Sequence, residues 1–220
     1  YLIKLMREKK YDVNILKNAE ANILTFDSGS LDNIDPINLL FQTGYLTVSQ
    51  KRDLYQIEEY LLNFPNFEVE TSFYSYLIGD ISNTHPYEAL TLALKLRQSL
   101  ENGEVHRFET VLKSLFAQIP SNLFIEEEKF YHSLFIMISY LCRIEVEAEV
   151  NTNIGRIDGV IEFSESIHIV EFKINRPAEE GLKQIINKKY YEKYLTKGKP
   201  IYLMGISFSG QSIQTVYLKL

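Results

Sequence analysis

The sequence reads Arg156-Ile-Asp-Gly-Val-Ile-Glu-Phe163, then Ser-Glu-Ser, then Ile167-His-Ile-Val-Glu-Phe-Lys-Ile174. Both apolar runs are rich in β-branched and aromatic residues, which favour β-strands. The short polar link between them is typical of a hairpin turn. The two runs therefore predict an antiparallel pair of strands.

The register of this hairpin decides which charged side chains meet. With a two-residue loop at Ser164-Glu165, Asp158 lies directly opposite Glu171, and opposite residues are roughly 4.5–5.5 Å apart at Cβ. Alternation along the second strand puts Lys173 on the same face as Glu171. A shift of one residue would separate the two carboxylates. The predicted register thus groups Asp158, Glu171 and Lys173.

The chemistry of this cluster suits a metal-dependent phosphodiesterase. Two carboxylates among apolar neighbours are costly unless a cation or a shared proton compensates their charge. Mg²⁺ typically binds through one or two carboxylates together with substrate phosphate. A nearby lysine can orient the attacking water or offset charge in the transition state. The alternative is an ordinary hairpin with a surface ion pair between Glu171 and Lys173.

A set of motifs in the second half of the chain resembles a known nuclease family. In order, they are Tyr131-His132-Ser-Leu-Phe, Glu149-Val-Asn-Thr-Asn-Ile-Gly-Arg-Ile-Asp158, Ile169-Val-Glu171-Phe-Lys173, and Gln184-Ile185 followed by Lys189-Tyr190. Together they resemble the PD-(D/E)XK nuclease domain at the C-terminus of bacterial AAA-ATPase-like proteins, from about Glu126 onward. The resemblance implies an α/β fold with a restriction-endonuclease-like αβββαβ core. The Pro-Asp dipeptide of the superfamily is Ile157-Asp158 here, which leaves the ligand set intact.

The resemblance also implies a role for individual residues. Asp158 and Glu171 match the metal-binding carboxylates of the family, and the implied cofactor is Mg²⁺ or Mn²⁺. Lys173 matches the catalytic lysine, and Gln184 matches the glutamine on the following helix. Glu128 matches the acidic residue of the first core helix and is expected to be a third metal ligand.

Other ionisable residues are weaker candidates. His132 lies one helical turn from Glu128, where it would orient a metal-bound water, contact phosphate or form a structural hydrogen bond. Glu149 and Glu162 are spare carboxylates that rank below Glu128. The remaining histidines are expected at the surface or in structural roles: His85, His106 and His168.

The charge of the chain is unevenly distributed. The net charge is −6, yet residues 151–220 carry ten Lys and Arg against seven Asp and Glu. This basic stretch is expected to contact a phosphate backbone, although a solvated helix face is the ordinary explanation for such a run. The candidate nucleic-acid-binding residues are Arg156, Arg176, Lys188 and Lys189.

The first part of the chain resembles the end of the AAA-ATPase-like region that precedes this nuclease domain. The similarity lies in Asp35-Pro-Ile-Asn-Leu-Leu-Phe-Gln-Thr-Gly-Tyr-Leu-Thr and Phe64-Pro-Asn-Phe-Glu-Val. The expected organisation is a winged-helix-like lid over residues 1–80, a helical connector over 81–125 and the nuclease-like domain over 126–220. No G-x-x-x-x-G-K-[ST] motif occurs, so no ATP site is expected in these residues. An ATPase domain is expected upstream.

Local patterns predict three further features. Residues 178–195 form an amphipathic helix that carries Gln184, residues 18–34 are polar and irregular, and residues 50–52 are the tip of a hairpin.

The lone Cys142 lies in an apolar helical pattern typical of a core position and excludes an internal disulfide. No apolar run approaches the ~20 residues of a membrane span, and no signal peptide is visible, so a cytoplasmic protein is expected. The chain starts at Tyr1 within a helical pattern, which suggests a piece of a longer protein.

Three functions are compatible with these observations. The first is metal-dependent hydrolysis of nucleic acid, with DNA as the favoured substrate. The second is a catalytically silent nuclease fold that binds nucleic acid or a partner. The third is a structural appendage that regulates or oligomerises an ATPase. The intact Asp, Glu and Lys set favours the first.

Overall fold

The computed structural model of the chain describes residues 16, 18–26, 35–54, 57–120, 128–144, 146–152 and 155–220. These residues divide into two compact units, one up to Leu77 and one from Ile78 onward. In the described part of the chain, no helix is long and apolar enough to cross a membrane.

The first unit contains a small antiparallel sheet. Its strands lie in the order β1-β3-β2 and are accompanied by two short helices. The elements are β1 (Ala19–Asn22), α1 (Ile23–Phe26), α2 (Pro36–Gln42), β2 (Thr47–Leu54) and β3 (Ile57–Asn63). Helix α3 (Phe67–Ile81) follows and contains the boundary with the second unit.

Two predictions for the first unit are wrong, both at edge strands. Residues 18–34 were predicted to be irregular, but they contain β1 and α1. Residues 50–52 were predicted to be a hairpin tip, but they pair with β3 inside β2. Edge strands often carry polar side chains, which conceal them in the sequence. The exposed ion pair between Lys51 and Glu58 on neighbouring strands is an example.

The second unit is the predicted mixed α/β fold. A five-stranded sheet has the order β4-β5-β6-β7-β8, in which β6 and β7 are parallel and the other neighbours are antiparallel. Its elements are α4 (Pro86–Glu101), α5 (Val105–Phe116), α6 (Glu128–Leu141), β4 (Val146–Thr152), β5 (Gly155–Glu162), β6 (Ile167–Ile174), α7 (Ala178–Asn187), a 3₁₀ helix (Glu192–Lys197), β7 (Ile201–Ser209) and β8 (Ser212–Lys219).

The central strand β6 is buried because helices cover both of its faces. Phe172 packs against Phe135 of α6, with ring centroids 5.0 Å apart. Its neighbour Glu171 points the other way and contacts Gln184 of α7. A pleated strand sends successive side chains to opposite faces, so the acidic residue and the aromatic residue serve different layers.

Helix α7 ends earlier than the sequence pattern suggests. The predicted helix over 178–195 is wrong beyond Asn187. Lys189 has a left-handed backbone with φ of 48°, and the N–H of Tyr190 bonds the carbonyl of Ile185 at 3.2 Å. This six-to-one bond closes a Schellman motif, usually made by glycine. The turn directs Tyr190 into the core, where it packs in one cluster with Ile185.

Candidate metal and active site

The site lies where strand β5 leaves strand β6. Backbone pairing runs from Glu162↔Ile167 to Gly159↔Val170, which confirms the predicted register. The next pair in this register is Asp158 and Glu171. There the carboxylate Oδ2 of Asp158 accepts the backbone N–H of Phe172 at 2.8 Å. The Asp158 side chain is therefore held beside β6 by a hydrogen bond to the residue after Glu171.

Glu171 is an acidic residue in a nearly closed environment, with 2% of its surface exposed. Burial, and then the charge of Asp158, raise the pKa of its carboxyl group to about 7 against the opposing effect of Lys173. Oxygen Oε1 accepts hydrogen bonds from Gln184 Nε2 and from Lys173 Nζ, the latter at 3.3 Å. Oxygen Oε2 is buried and has no hydrogen-bond partner among the described residues.

Lys173 brings a positive charge to the same place. Its Nζ also donates to the backbone carbonyl of Phe172 at 2.9 Å. The side chain is 12% exposed, so the ammonium group lies at the rim of the buried site. The sequence-based cluster of Asp158, Glu171 and Lys173 is thus brought together on two neighbouring strands, and α7 adds Gln184.

The donor set fits a divalent cation with a preference for oxygen. A buried carboxylate oxygen without a partner is costly, and a cation would satisfy it. With a cation bound to Glu171, the negative charge of Asp158 would stabilise the bound cation instead of raising the pKa of Glu171. In the described part of the chain, no group of three or more His, Cys, Asp and Glu side chains is placed so that it could hold a metal ion. Two carboxylates suffice for Mg²⁺, which keeps several waters.

Two predicted site residues have a different standing. Glu128 is the first residue of α6, but its side chain lies outside the described residues, so its role as a ligand stays a prediction. His132 Nε2 lies 3.4 Å from the backbone oxygen of Asp158, beyond the usual range for a strong hydrogen bond. Its ring also meets the edge of Phe172. The histidine therefore contacts the backbone of Asp158.

The four predicted nucleic-acid-binding residues differ in how their charge is used. Arg176 pairs with Glu180, and Lys189 pairs with Glu192 at 3.2 Å. Lys188 lies one helical turn beyond Gln184, and its Nζ is 5.8 Å from the centre of the Tyr190 ring. Arg156 has an exposed side chain two residues before Asp158.

Other sequence candidates have structural partners. Glu162 pairs with Lys197 and Lys199, which lower the pKa of its carboxyl group. The His168 ring is fully buried, stacks on Tyr202 and meets Ser166 Oγ at 3.1 Å. Burial lowers the pKa of His168 to about 4, which keeps the imidazole neutral at pH 7.

Cys142 is buried, as predicted for a core position, and Glu149 has a side chain outside the described residues.

Sequence reasoning missed the contact that Tyr190 makes beside this site. Its hydroxyl donates to the backbone carbonyl of Arg156 at 2.9 Å. The available signal was the tyrosine six residues after Gln184. The early end of the helix, which the pattern did not predict, gives that tyrosine its inward direction.

The fold and the site define a restriction-endonuclease-like domain with two carboxylates and a lysine on adjacent central strands. Residues 126–217 match the family model of the PD-(D/E)XK nuclease superfamily, which confirms the resemblance of this segment to that superfamily. Over 223 aligned residues the chain is 28% identical to an uncharacterized protein in the vnfD 5′ region of Azotobacter chroococcum mcd 1. The alignment covers 98% of this chain and 43% of that relative, so the chain spans less than half of its length. No solved structure matches the chain.

Proposed function

We propose that this chain is a divalent-metal-dependent nuclease that hydrolyses phosphodiester bonds, with DNA as the favoured substrate. The observation that carries the proposal is the buried Oε2 of Glu171, which has no hydrogen-bond partner in the described part of the chain and lies beside Asp158 within a segment that matches a nuclease superfamily. Asp158 and Glu171 are the proposed ligands for Mg²⁺ or Mn²⁺. Glu128 is proposed as a further ligand from the first turn of α6.

The residues around the ligands have separate tasks in this proposal. When bound, the cation polarises a phosphoryl oxygen and lowers the pKa of a coordinated water. Gln184 donates to Oε1 of Glu171 and so fixes the orientation of that carboxylate. Lys173 supplies a positive charge at the rim, where the attacked phosphate gains negative charge in the transition state. Because the ammonium already lies beside Glu171, little reorganisation is needed.

The wider setting of the domain is also a proposal. The resemblance of Asp35–Thr47 and Phe64–Val69 to an AAA-ATPase-like region supports an ATPase domain in the same full-length protein. The partial coverage of the longer Azotobacter relative is compatible with such an arrangement. We propose that the protein acts in the bacterial cytoplasm, where it cuts nucleic acid.

The direct test is cleavage of labelled DNA and RNA by the purified chain. We expect products with Mg²⁺ or Mn²⁺ and none with excess chelator, because the two carboxylates cannot activate water without the ion. The Asp158→Asn protein, prepared in parallel, controls for contaminating nucleases. Metal-dependent binding of DNA without cleavage would instead support the catalytically silent module.

Lys188 offers a test of the nucleic-acid surface. We expect Lys188→Ala to weaken DNA binding and to lower the slope of log affinity against log salt by about one. Arg176→Ala should change the slope less, since Glu180 already pairs with that guanidinium. The measurement is fluorescence anisotropy with labelled DNA at several salt concentrations in Ca²⁺, which suppresses turnover.

A matched control for this experiment is Lys199→Ala. The Lys199 ammonium bonds both Glu162 and the backbone carbonyl of Phe163, so its charge is already engaged. Equal slopes for Lys188→Ala and the wild type would remove Lys188 from the proposed surface.

A further inference from the structure

Two side-chain hydrogen bonds hold the end of β5 that carries Asp158 where its pairing with β6 has stopped, while the other edge of this end pairs with β4. The described backbone pairing between β5 and β6 stops at Gly159↔Val170. Before that point, the Asp158 carboxylate bonds the N–H of Phe172, and the hydroxyl of Tyr190 bonds the carbonyl of Arg156. These two hydrogen bonds hold the strand at Arg156 and Asp158, the residues on either side of Ile157.

The backbone turn and the core packing around Tyr190 fix the position of its hydroxyl group. The Schellman motif after α7 turns the residue inward, and only 2% of its surface is exposed. Its ring packs in the core cluster that also contains Ile157 and Ile185. The hydroxyl at the end of this fixed ring therefore has a defined position, and its bond to Arg156 is 2.9 Å long.

We propose that Tyr190 is a positioning residue that sets the place of the Asp158 carboxylate for metal binding. This inference rests on the proposed function, because it assigns Tyr190 to the same metal site. The hydroxyl fixes the backbone two residues before Asp158, while the bond to Phe172 fixes the side chain itself. Residues that orient metal ligands in this way typically contribute 10–100-fold to metal affinity.

The structure provides a matched control at Tyr194. Tyr194 lies in the same core cluster and has 3% of its surface exposed. Its buried hydroxyl has no hydrogen-bond partner among the residues that the structure describes. Tyr190→Phe and Tyr194→Phe therefore make the same chemical change in one core, but only the first removes a bond to β5.

The experiment compares Mn²⁺ affinity and urea unfolding for the wild type and both variants. We expect Tyr190→Phe to weaken Mn²⁺ binding at least 10-fold by calorimetry, and Tyr194→Phe to leave it unchanged. A shift of the Ile157 amide resonance in metal-free Tyr190→Phe, absent in Tyr194→Phe, would report the lost bond to the Arg156 carbonyl independently of any metal.

The outcomes separate the inference from the function on which it rests. Absence of Mn²⁺ binding by the wild type would overturn the proposed metal site itself. Wild-type affinity in Tyr190→Phe would overturn only the positioning role. Equal losses in both variants, or unfolding of Tyr190→Phe alone, would assign the hydroxyl to core stability and also overturn that role.

Discussion

Asp158→Asn and Glu171→Gln should each abolish detectable Mg²⁺ binding and all cleavage. Neutral amides coordinate hard cations poorly and cannot balance the charge of the ion. Each change keeps the size of the side chain, so the packing of the buried site is preserved. Isothermal titration with Mg²⁺ and Mn²⁺, with and without DNA, measures the loss. Retained binding in both variants would show that the ion is held elsewhere.

The stability of metal-free Glu171→Gln separates lost ligation from misfolding. The folded-state pKa of Glu171 is about 7, above its ordinary value of 4.5, because of burial and the charge of Asp158. A raised carboxyl pKa costs the folded wild type progressively more as the pH rises from 4.5 through 7. At pH 8 we therefore expect the free energy of unfolding of Glu171→Gln to exceed that of the wild type by on the order of 2–3 kcal/mol, with little difference between the two proteins near pH 4.5. Urea unfolding in chelator at both pH values tests this sign.

Lys173→Ala should separate metal binding from catalysis. The ammonium group lies 3.3 Å from Oε1 of Glu171, so its removal takes a positive charge away from the proposed cation site. Metal affinity should persist or increase for this reason. Cleavage should fall by roughly 10²–10³-fold, the loss expected when one electrostatic stabiliser of a transition state is deleted.

Single-turnover rates at saturating Mg²⁺ and DNA give the catalytic effect of Lys173→Ala without contributions from binding. Lys183→Ala is a suitable companion, since Lys183 is an exposed lysine on α7 and not a proposed catalytic group. If Lys173→Ala cleaved at the wild-type rate, the lysine would have no catalytic role. Lost metal binding would instead indicate that Lys173 organises the ligands.

The central hairpin was predictable because several local signals agree. Two β-rich runs, a short polar loop and the two-residue period of a strand together specify the register, and the observed pairs have that register. The same register brings Asp158 next to Glu171. The pairing rule does not show that the backbone pairing of β5 with β6 ends at Gly159↔Val170, or that the Asp158 carboxylate then accepts the N–H of Phe172.

The features that escaped prediction depend on distant contacts or unusual backbone. The pattern around Lys189 continues a helix, and nothing local shows that a lysine takes the left-handed conformation normally left to glycine. The Glu171 carboxylate, whose pKa is raised by burial, contacts Gln184 of α7, which follows it by 13 positions in the chain. The pairing of Arg176 with Glu180 is local, since the two residues are four positions apart, but residue composition alone does not show it.

Helix α7 packs so closely on the sheet that a substitution which alters no charge could disrupt the site. At Gly205 of β7, any added Cβ would overlap the backbone oxygen of Ala178, and at Gly181 it would lie 2.9 Å from the backbone oxygen of Glu171. The helix that carries Gln184 therefore packs closely on the sheet at two glycines, which have no side chain. A methyl group at either glycine would push α7 away from the sheet and break the contact between Gln184 and Glu171. The absence of a side chain at these two positions is therefore as important to the site as its charges.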